Sequence, residues 1–513
     1  MRVAIIGGGP SGIVQLKTLT EAHRRFPVPP FEVRLFESQD RLGGIFSSHT
    51  YEEGELVSSK YLTAFSDFRA RSDDADFFAT DRYLEYLDDY ATNFELWPYI
   101  HLNTWVKSVR RGGSREHIVT YRTSTCEEVE WECDAIAVCS GVHAAPNIPD
   151  LPGIEHVPVV MHSSEFKSRE QFGKGKTVVR VPGQRFLPWL FGSKPYEYPQ
   201  LPLDVSQITL FDSMYVHPIL SLCSSNAIFN TLVFFNKAWQ RISNHVSTPW
   251  RPTKWPLATR IRRFFFNTDI PPASRIIEVA PTPSHISKDG VAHFPHNGRP
   301  ESDRINETVV KPDVVVFATG YLPSFPFLNT PDHASDKPYP TAWDADVRQI
   351  WNSDEPTVGF IGFIRPGFGA IPPLAEMQSM LFTMNLINRI PKPLNPDDEW
   401  HYRIIHPPDA RVFYGVEHDS YAYQLAKDIG PWKWDGAGEV MTGELWETIQ
   451  RREGLFGNIP LSIIPMIYLG LVNLLFLWYA LFWGFLAKLR LARPTVIRNE
   501  PKRIMQEMEQ LRR

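Results

Sequence analysis

The spacing of apolar residues predicts strands that alternate with helices. Val3–Ile6 are four apolar residues in front of a glycine-rich turn, which indicates a short buried strand. Ile13, Leu16 and Leu19 recur at helical spacing and predict a helix over Ile13–His23. Similar patterns predict a second helix over Asp81–Phe94 and strands over Phe31–Glu37, Asp134–Val138 and Asp313–Phe317. This alternation is typical of the α/β class.

The middle of the chain carries a weaker pattern. Residues from about 180 to 305 are irregular and rich in proline and aromatic side chains, and they show no internal repeat. The polar stretch from about 284 to 312 predicts a loop in front of the strand Asp313–Phe317.

Composition limits the possible classes of protein. The 513 residues, 43% of them hydrophobic, suffice for two or three domains with their own cores. A net charge of −5 and a pI near 6.4 do not favour binding to nucleic acid. The four cysteines form no CxxC pair, so we expect neither a disulfide framework nor a metal site. Met1 leads almost directly into Val3–Ile6, which predicts no signal peptide and a catalytic body in the cytosol.

A dinucleotide-binding fingerprint joins the first predicted strand to the first predicted helix. Gly7, Gly9 and Gly12 form a GxGxxG pattern, and Glu37 ends the second predicted strand. Gly7 permits a tight turn, Gly9 lets the backbone approach a pyrophosphate, and Gly12 lets the helix pack on the strand. Glu37 can accept hydrogen bonds from the ribose of an adenosine.

The residues around the fingerprint extend the predicted site. Pro10 and Ser11 open the helix, whose N-terminus offers free N–H groups to phosphates. The paired glycines in Arg41–Phe46 follow the second strand and would let the backbone lie against a flat ring or a diphosphate. Together with Glu37 they favour FAD over NAD. The predicted cofactor-binding residues here are Gly7, Gly9, Pro10, Ser11, Gly12, Glu37, Arg41, Gly44, Ile45 and Phe46.

The sequence resembles the flavin-containing monooxygenase family, of the kind found in fungi, over most of residues 1–180 and 310–385. The fingerprint is the first shared passage. The others are Ser58–Leu62 with Phe65–Phe68, similar to SKE(L/M)…F(S/P)DF; His162–Lys167, similar to HSxx(F/Y)K; Phe317–Tyr321, similar to (L/F)ATGY; and Gly362–Gly367 with Glu376 and Gln378. Their order and spacing carry the resemblance.

The resemblance implies a fold and a mechanism. It implies a Rossmann-type FAD-binding domain, a smaller and truncated NADPH-type insert domain, and FAD and NADPH as cofactors. It adds Ser59, Val106 and Gln378 to the cofactor-binding candidates. It also implies a flavin C4a-hydroperoxide that passes oxygen to a nitrogen or sulfur of a small lipophilic substrate. Because the cofactor carries this chemistry, we propose no catalytic side chain.

The expected domain organisation follows from these passages. The first part of the FAD domain covers 1–155, the insert domain 156–304 and the second part of the FAD domain 305–400. A helical connection over 401–457 then leads to a membrane segment and basic tail over 458–513.

Three positions depart from the family. No second GxGxxG exists in the chain: Gly175–Val179 runs directly into Arg180–Gln184, where the family has an NADPH-binding βαβ unit of roughly 30 residues. Either a gene-model or splice error or a real variant that does not bind NADPH in the usual way would explain this. Val57 stands where the family has an active-site asparagine, whose role Ser58 could take over. His162 is either a functional residue or a linker residue, since the FxG before it is absent.

Two other functions stay open. A Baeyer–Villiger monooxygenase inserts oxygen beside a ketone, but such relatives usually carry a tryptophan where Phe166 stands. A membrane-tethered flavoprotein with impaired catalysis would explain both the missing unit and Val57.

The C-terminal region predicts membrane association. Gly454–Ala487 contains no charged residue, and Met466–Ala487 could form a helix of about 33 Å at ~1.5 Å per residue, enough to cross a bilayer core. A buried core helix is the alternative. The basic tail Lys488–Arg513 leaves a tail anchor and an element dipping into one leaflet both open. We expect a membrane-associated protein with a cytosolic catalytic domain, with the endoplasmic reticulum as a candidate membrane.

Overall fold

The computed structural model describes residues 1–182, 280–328 and 337–429. Within these ranges short gaps occur at 53, 57, 59, 76, 113, 297, 299, 367–369, 391–392, 404–413 and 417.

The described helices and strands follow an α/β order. The α-helices are α1 Pro10–Arg25, α2 Ile45–Ser48, α3 Lys60–Thr63, α4 Thr80–Asn93, α5 Pro300–Asn306, α6 Ile371–Leu386 and α7 His418–Ile429. Short 3-10 helices occur at Trp97–Tyr99, Ile154–His156, Ser163–Glu165, Arg169–Phe172 and Pro396–His401.

The strands are β1 Arg2–Ile6, β2 Glu32–Phe36, β3 Ile100–His101, β4 Trp105–Arg111, β5 His117–Arg122, β6 Glu128–Cys133, β7 Ala135–Val138, β8 Ala145–Pro146, β9 Val159–His162, β10 Val178–Pro182, β11 His285–Ile286, β12 Ala292–His293, β13 Val314–Ala318, β14 Tyr321–Leu322, β15 Trp351–Asn352, β16 Glu355–Phe360, β17 Arg365–Pro366 and β18 Gly415–Val416.

A six-stranded sheet of order β15-β16-β7-β1-β2-β3 forms the first layer. Its pairs are parallel except for β15 with β16. Successive side chains of a strand point to opposite faces. Val3 and Ile5 therefore join the core on one face, whereas Ala4 and Ile6 join the core on the other.

Different elements cover the two faces of this sheet. Helices α1, α4 and α6 supply the core that contains Val3, for example through Leu16, Tyr83 and Leu381. The antiparallel sheet β4-β5-β6 packs on the other face through residues such as Val119. Burial on both faces explains why β1 consists of consecutive apolar residues.

A second, smaller parallel sheet has the order β10-β13-β9. Val315 and Phe317 of its central strand are buried in a separate core. The outer strands carry exposed valines, since Val159, Val160 and Val178 are each more than 40% exposed. The central strand β13 lies beyond the boundary predicted at residue 305, yet it pairs with β9 and β10 of the predicted insert domain.

Most predicted elements near the fingerprint are confirmed within one to three residues at each end. The loop predicted over 284–312 is wrong in part, because β11, β12 and α5 lie within it. The two-residue strands β11 and β12 are too short to show an alternation of apolar and polar residues in the sequence. The turn between them depends on Gly290 at φ +78°.

Helix α7 and the short strand β18 both lie in the described part of the predicted helical connection 401–457, which stays a prediction. Of the helices in the described ranges, none is both long and apolar enough to cross a membrane. The predicted segment Met466–Ala487 lies outside those ranges and stays a prediction.

A buried ion pair fastens α7 to the first sheet. Arg348, with a side chain 2% exposed, donates through Nε to Asp428 at 2.5 Å and through Nη1 to the carbonyl of Asn395 at 2.9 Å. Its Nη2 also lies 3.4 Å from Asp398. One guanidinium thus lies between two largely buried carboxylates and offsets part of their combined charge.

We predict that Arg348→Ala lowers the free energy of unfolding by about 3–5 kcal/mol, because it leaves these carboxylates without their cation. Urea denaturation followed by circular dichroism measures the change. Lys107→Ala is the control, since both partners of its pair with Glu128 are at least half exposed, and it should cost below ~1 kcal/mol. Equal effects of the two substitutions would contradict the prediction.

Candidate functional site

The GxGxxG turn brings the start of α1 against the end of β1. Gly7 has φ +110° and donates its N–H to the carbonyl of Phe36 at 2.9 Å. A Cβ on Gly7 would lie 2.6 Å from the carbonyl oxygen of Cys139, and a Cβ on Gly12 would overlap the carbonyl oxygen of Gly7. Both positions therefore exclude a side chain, as the fingerprint predicts.

The second glycine pair lies directly against the first turn. Gly43 donates its N–H to the carbonyl of Gly8 at 3.0 Å. Gly43 and Gly44 have φ +123° and +59°. A Cβ on Gly9 would lie 3.8 Å from the Cα of Gly44, so two backbones without side chains face each other across a narrow gap. No side chain obstructs this gap, so the phosphates of a dinucleotide could approach the backbone N–H groups at its edge.

Glu37 is buried beside this gap, with 5% of its surface exposed. Its Oε2 accepts the N–H of Gly8 at 2.6 Å, and its Oε1 accepts from the N–H of Gln39 at 2.8 Å and from Ser38 Oγ at 3.1 Å. An ionised carboxylate offers about four acceptor positions. Acceptor capacity on Oε2 is therefore left for a ribose hydroxyl.

The N-terminus of α1 points toward the same place. Gly9 is its N-cap and Pro10 occupies its first turn, where a missing N–H costs nothing. The first N–H groups of a helix have no partner within the helix and favour an anion. Backbone and side chains together thus match FAD in the part that binds its phosphates and adenosine.

Gln378 bonds to a turn that packs against the start of α1. Its side chain is fully buried; Oε1 accepts the N–H of Gly362 at 2.8 Å, and Nε2 donates to the Tyr421 hydroxyl at 2.8 Å. Gly362, at φ +83°, lies so close to Ser11 that a Cβ would collide with its hydroxyl. Gln378 therefore fixes the turn that packs on Ser11, and its direct contact with the cofactor stays a prediction.

The other predicted residues differ in exposure and in what they contact. Arg41 and Ile45 are exposed, whereas Phe46 packs edge-on against Tyr83 at 4.8 Å. Val106 is buried in the core shared by the first sheet and β4-β5-β6. Ser59 and Val57 lie outside the described residues.

His162 ends β9 and contacts the segment that follows β13. Its Nε2 lies 3.0 Å from the carbonyl of Gly320, and its Nδ1 lies 2.9 Å from Ser164 Oγ. His49, His143 and His162 surround the ring of Tyr321 at centroid distances of 5.0–5.6 Å. These contacts favour the linker role for His162.

Two of the histidines around Tyr321, His49 and His143, have lowered pKa values. Burial lowers the pKa of His143 to about 4, and the charge of Arg365 contributes further. Burial and then the charge of Lys167 lower the pKa of His49. Both imidazoles are therefore neutral at pH 7, so they add no positive charge that would attract the phosphates of a second dinucleotide.

The sequence alone did not reveal that Gly8, Cys139 and Gly362 help to shape the site. There is no room for a side chain at Gly8, because a Cβ at this position would lie 3.0 Å from both Glu37 and Leu42. Its position inside the fingerprint was a usable signal. Cys139 acts through its backbone carbonyl, which no residue pattern reveals.

Comparison with known proteins agrees with the resemblance seen in the sequence motifs. The sequence model of the family described as "Flavin-binding monooxygenase-like" matches residues 1–183. The chain is 42% identical to Monooxygenase cfoE of Aspergillus candidus, over 93% of this chain and 98% of that protein. It is 37% identical to Monooxygenase ptmN of Penicillium ochrochloron, over 93% of this chain and 94% of that protein.

A solved structure shares the fold. The S-allyl-L-cysteine S-oxygenase from Allium sativum matches with a TM-score of 0.52 and 16% identity, over 92% of this chain and 98% of that chain.

The match to the Aspergillus candidus protein spans 580 positions, more than the 513 residues of this chain. That relative therefore contains residues for which this chain has no counterpart. This difference agrees with a loss of internal sequence after Val179, where the second GxGxxG is missing.

Substitution at Gly9 tests the proposed phosphate gap. We predict that Gly9→Ala leaves the melting temperature of the FAD-free protein nearly unchanged, because the new Cβ makes only ordinary contact with Gly44. Its affinity for FAD should fall at least about tenfold, since the methyl group fills the space for the phosphates. Fluorescence titration with FAD and thermal melting measure the two effects.

Gly12→Ala is the matched comparison. Its Cβ overlaps the backbone of Gly7, so it should lower the melting temperature as well as the affinity. If Gly9→Ala binds FAD as the parent protein does, the gap is not the phosphate site.

Proposed function

This chain belongs to the flavin-containing monooxygenase family, whose members use FAD and NADPH, and we propose that it oxygenates a nitrogen or sulfur atom of a small lipophilic molecule. The enzyme is a flavin-dependent monooxygenase. The overall reaction consumes NADPH, O₂ and a proton, and it gives the oxygenated substrate, NADP⁺ and water.

The observation that carries the proposal is the apposition of Gly9 and Gly44 beside buried Glu37. The two bare backbones and the N-terminus of α1 would hold the phosphates, and Glu37 would accept a hydrogen bond from the ribose. Bound FAD supplies the redox and oxygen-activating chemistry. The protein's own contribution is to orient the cofactor and to exclude water.

The side chain of Phe166 supports oxygenation of nitrogen or sulfur over insertion of oxygen beside a ketone. Its ring stacks on Phe172 at a centroid distance of 5.4 Å and lies 5.8 Å from the ring of Tyr51. Baeyer–Villiger relatives usually carry a tryptophan at this position. The fold neighbour from Allium sativum is an S-oxygenase by name, and we propose the same class of oxygen acceptor here.

Membrane association is a further part of the proposal. The uncharged run Gly454–Ala487 and the basic tail after it would hold the enzyme at a membrane, where lipophilic substrates collect. The catalytic domain would face the cytosol, the source of NADPH.

A second candidate is a flavoprotein with impaired catalysis. Strand β10 leads into no glycine fingerprint, and both outer strands of its sheet carry exposed valines. Parallel sheets are normally covered on both faces. A missing βαβ unit would account for both observations and would leave NADPH without its usual site.

Anaerobic reduction separates the two candidates. We predict that the purified protein carries FAD and that NADPH bleaches the visible absorption of oxidised flavin. Dithionite is the control for a flavin that can be reduced at all. A flavin that dithionite reduces and NADPH does not would reject the monooxygenase cycle for this polypeptide.

The class of substrate has its own test. We predict that a tertiary amine or a thioether raises NADPH consumption with a matching yield of N-oxide or S-oxide, because those atoms accept an electrophilic oxygen. A cyclic ketone, assayed in parallel, should give no lactone. Lactone as the main product would favour the Baeyer–Villiger alternative.

A further inference from the structure

A buried group of charged residues lies beneath the segment that follows the predicted flavin-side residues Ser58 and Ser59. Glu376 in α6 is 1% exposed, and its two carboxyl oxygens accept from Ser66 N at 3.0 Å and from Ser66 Oγ at 2.5 Å. These bonds attach the segment 60–68 to the helix that covers the first sheet.

Neighbouring elements supply the remaining charges around Glu376. Lys17 of α1, 4% exposed, pairs with Asp67 and lies 3.2 Å from Glu21. Glu21 also pairs with Arg25 at 2.5 Å. Lys17 and Arg25 therefore balance Asp67 and Glu21, and an ionised Glu376 adds a buried negative charge that neither cation fully offsets.

Helix α4 closes the site with two tyrosines. The Tyr86 hydroxyl accepts the N–H of Phe65 at 2.8 Å and donates to the carbonyl of Phe68 at 2.6 Å. Burial raises the pKa values of Tyr86 and Tyr90, so both hydroxyls stay neutral at physiological pH. Burial first, and then the charge of Asp67, raises the pKa of Glu376 to about 7.

We propose that Glu376 is a positioning residue: through Ser66 it holds the segment 60–68 beside the FAD site, and loss of its proton loosens that segment. The inference rests on the proposed function, because it places FAD against α1 and the paired glycines. The carboxyl does not touch the reacting atoms; it acts through Ser66 alone.

The sign of the effect follows from the charges. Below the pKa of Glu376 in the folded protein the site is neutral; one carboxyl oxygen still accepts from Ser66 N, and the protonated oxygen donates to Ser66 Oγ. As the pH rises through that value, the second carboxylate becomes charged beside Asp67, and admitting water at Ser66 relieves the cost. The segment is therefore held more tightly at low pH than at high pH.

Hydrogen exchange of the full chain tests this directly. Protection factors of a peptide covering residues 60–70 should fall at least about fivefold between about pH 6 and about pH 8 in the parent protein. Glu376→Gln should abolish the fall, because the amide can accept from Ser66 N and donate to Ser66 Oγ while staying neutral. Titration with FAD over the same range should show weakening affinity in the parent and a flat profile in Glu376→Gln.

Ser379→Ala is the matched control. Ser379 lies on the same helix and is fully buried, and its hydroxyl has no hydrogen-bond partner in the part of the chain that the structure describes. It should reproduce the parent profile. A Glu376→Gln protein that keeps the parent's pH-dependent fall in protection overturns the inference. A protein that shows the expected exchange but no oxygenation overturns the proposed function alone.

Discussion

The contact between the carbonyl oxygen of Gly7 and Gly12 determines where α1 begins. Since no side chain fits there, the helix starts directly above the end of β1. Gly8, between the two, bonds to Glu37 through its N–H and to Gly43 through its carbonyl. One close backbone approach thus fixes the second strand and the second glycine pair relative to the helix terminus.

Helix α6 also fixes the positions of other elements, at a distance from the glycines. It is apolar on most sides, yet three buried polar side chains each fasten another element: Glu376 holds Ser66, Gln378 holds Gly362, and Thr383 meets Gln15 of α1 at 3.3 Å. Buried polar groups are costly unless they are paired. Their pairing therefore specifies which loops surround the site.

The parts that sequence could predict are those governed by local constraints. Val3–Ile6 and the glycines after it fix a strand and a turn by burial and backbone space, and the structure confirms both. Helix α6 shows little helical period because it is buried all round, and the sheet β4-β5-β6 mixes exposed charges with buried residues. The resemblance led us to place Gln378 at the cofactor, but only the three-dimensional contacts reveal that it acts on Gly362.

The pairing of β16 with β7 has a consequence for how the chain folds during synthesis. The edge of β7 stays open until residues 355–360 have been made. At ~5–20 residues per second, that interval is on the order of 10–40 s. Residues 1–183, although they carry the family match, lack this strand and α6. The nascent N-terminal part therefore emerges with one edge of β7 unpaired, although its other edge can pair with β1, and the open edge could accept a strand of another chain until β16 fills it.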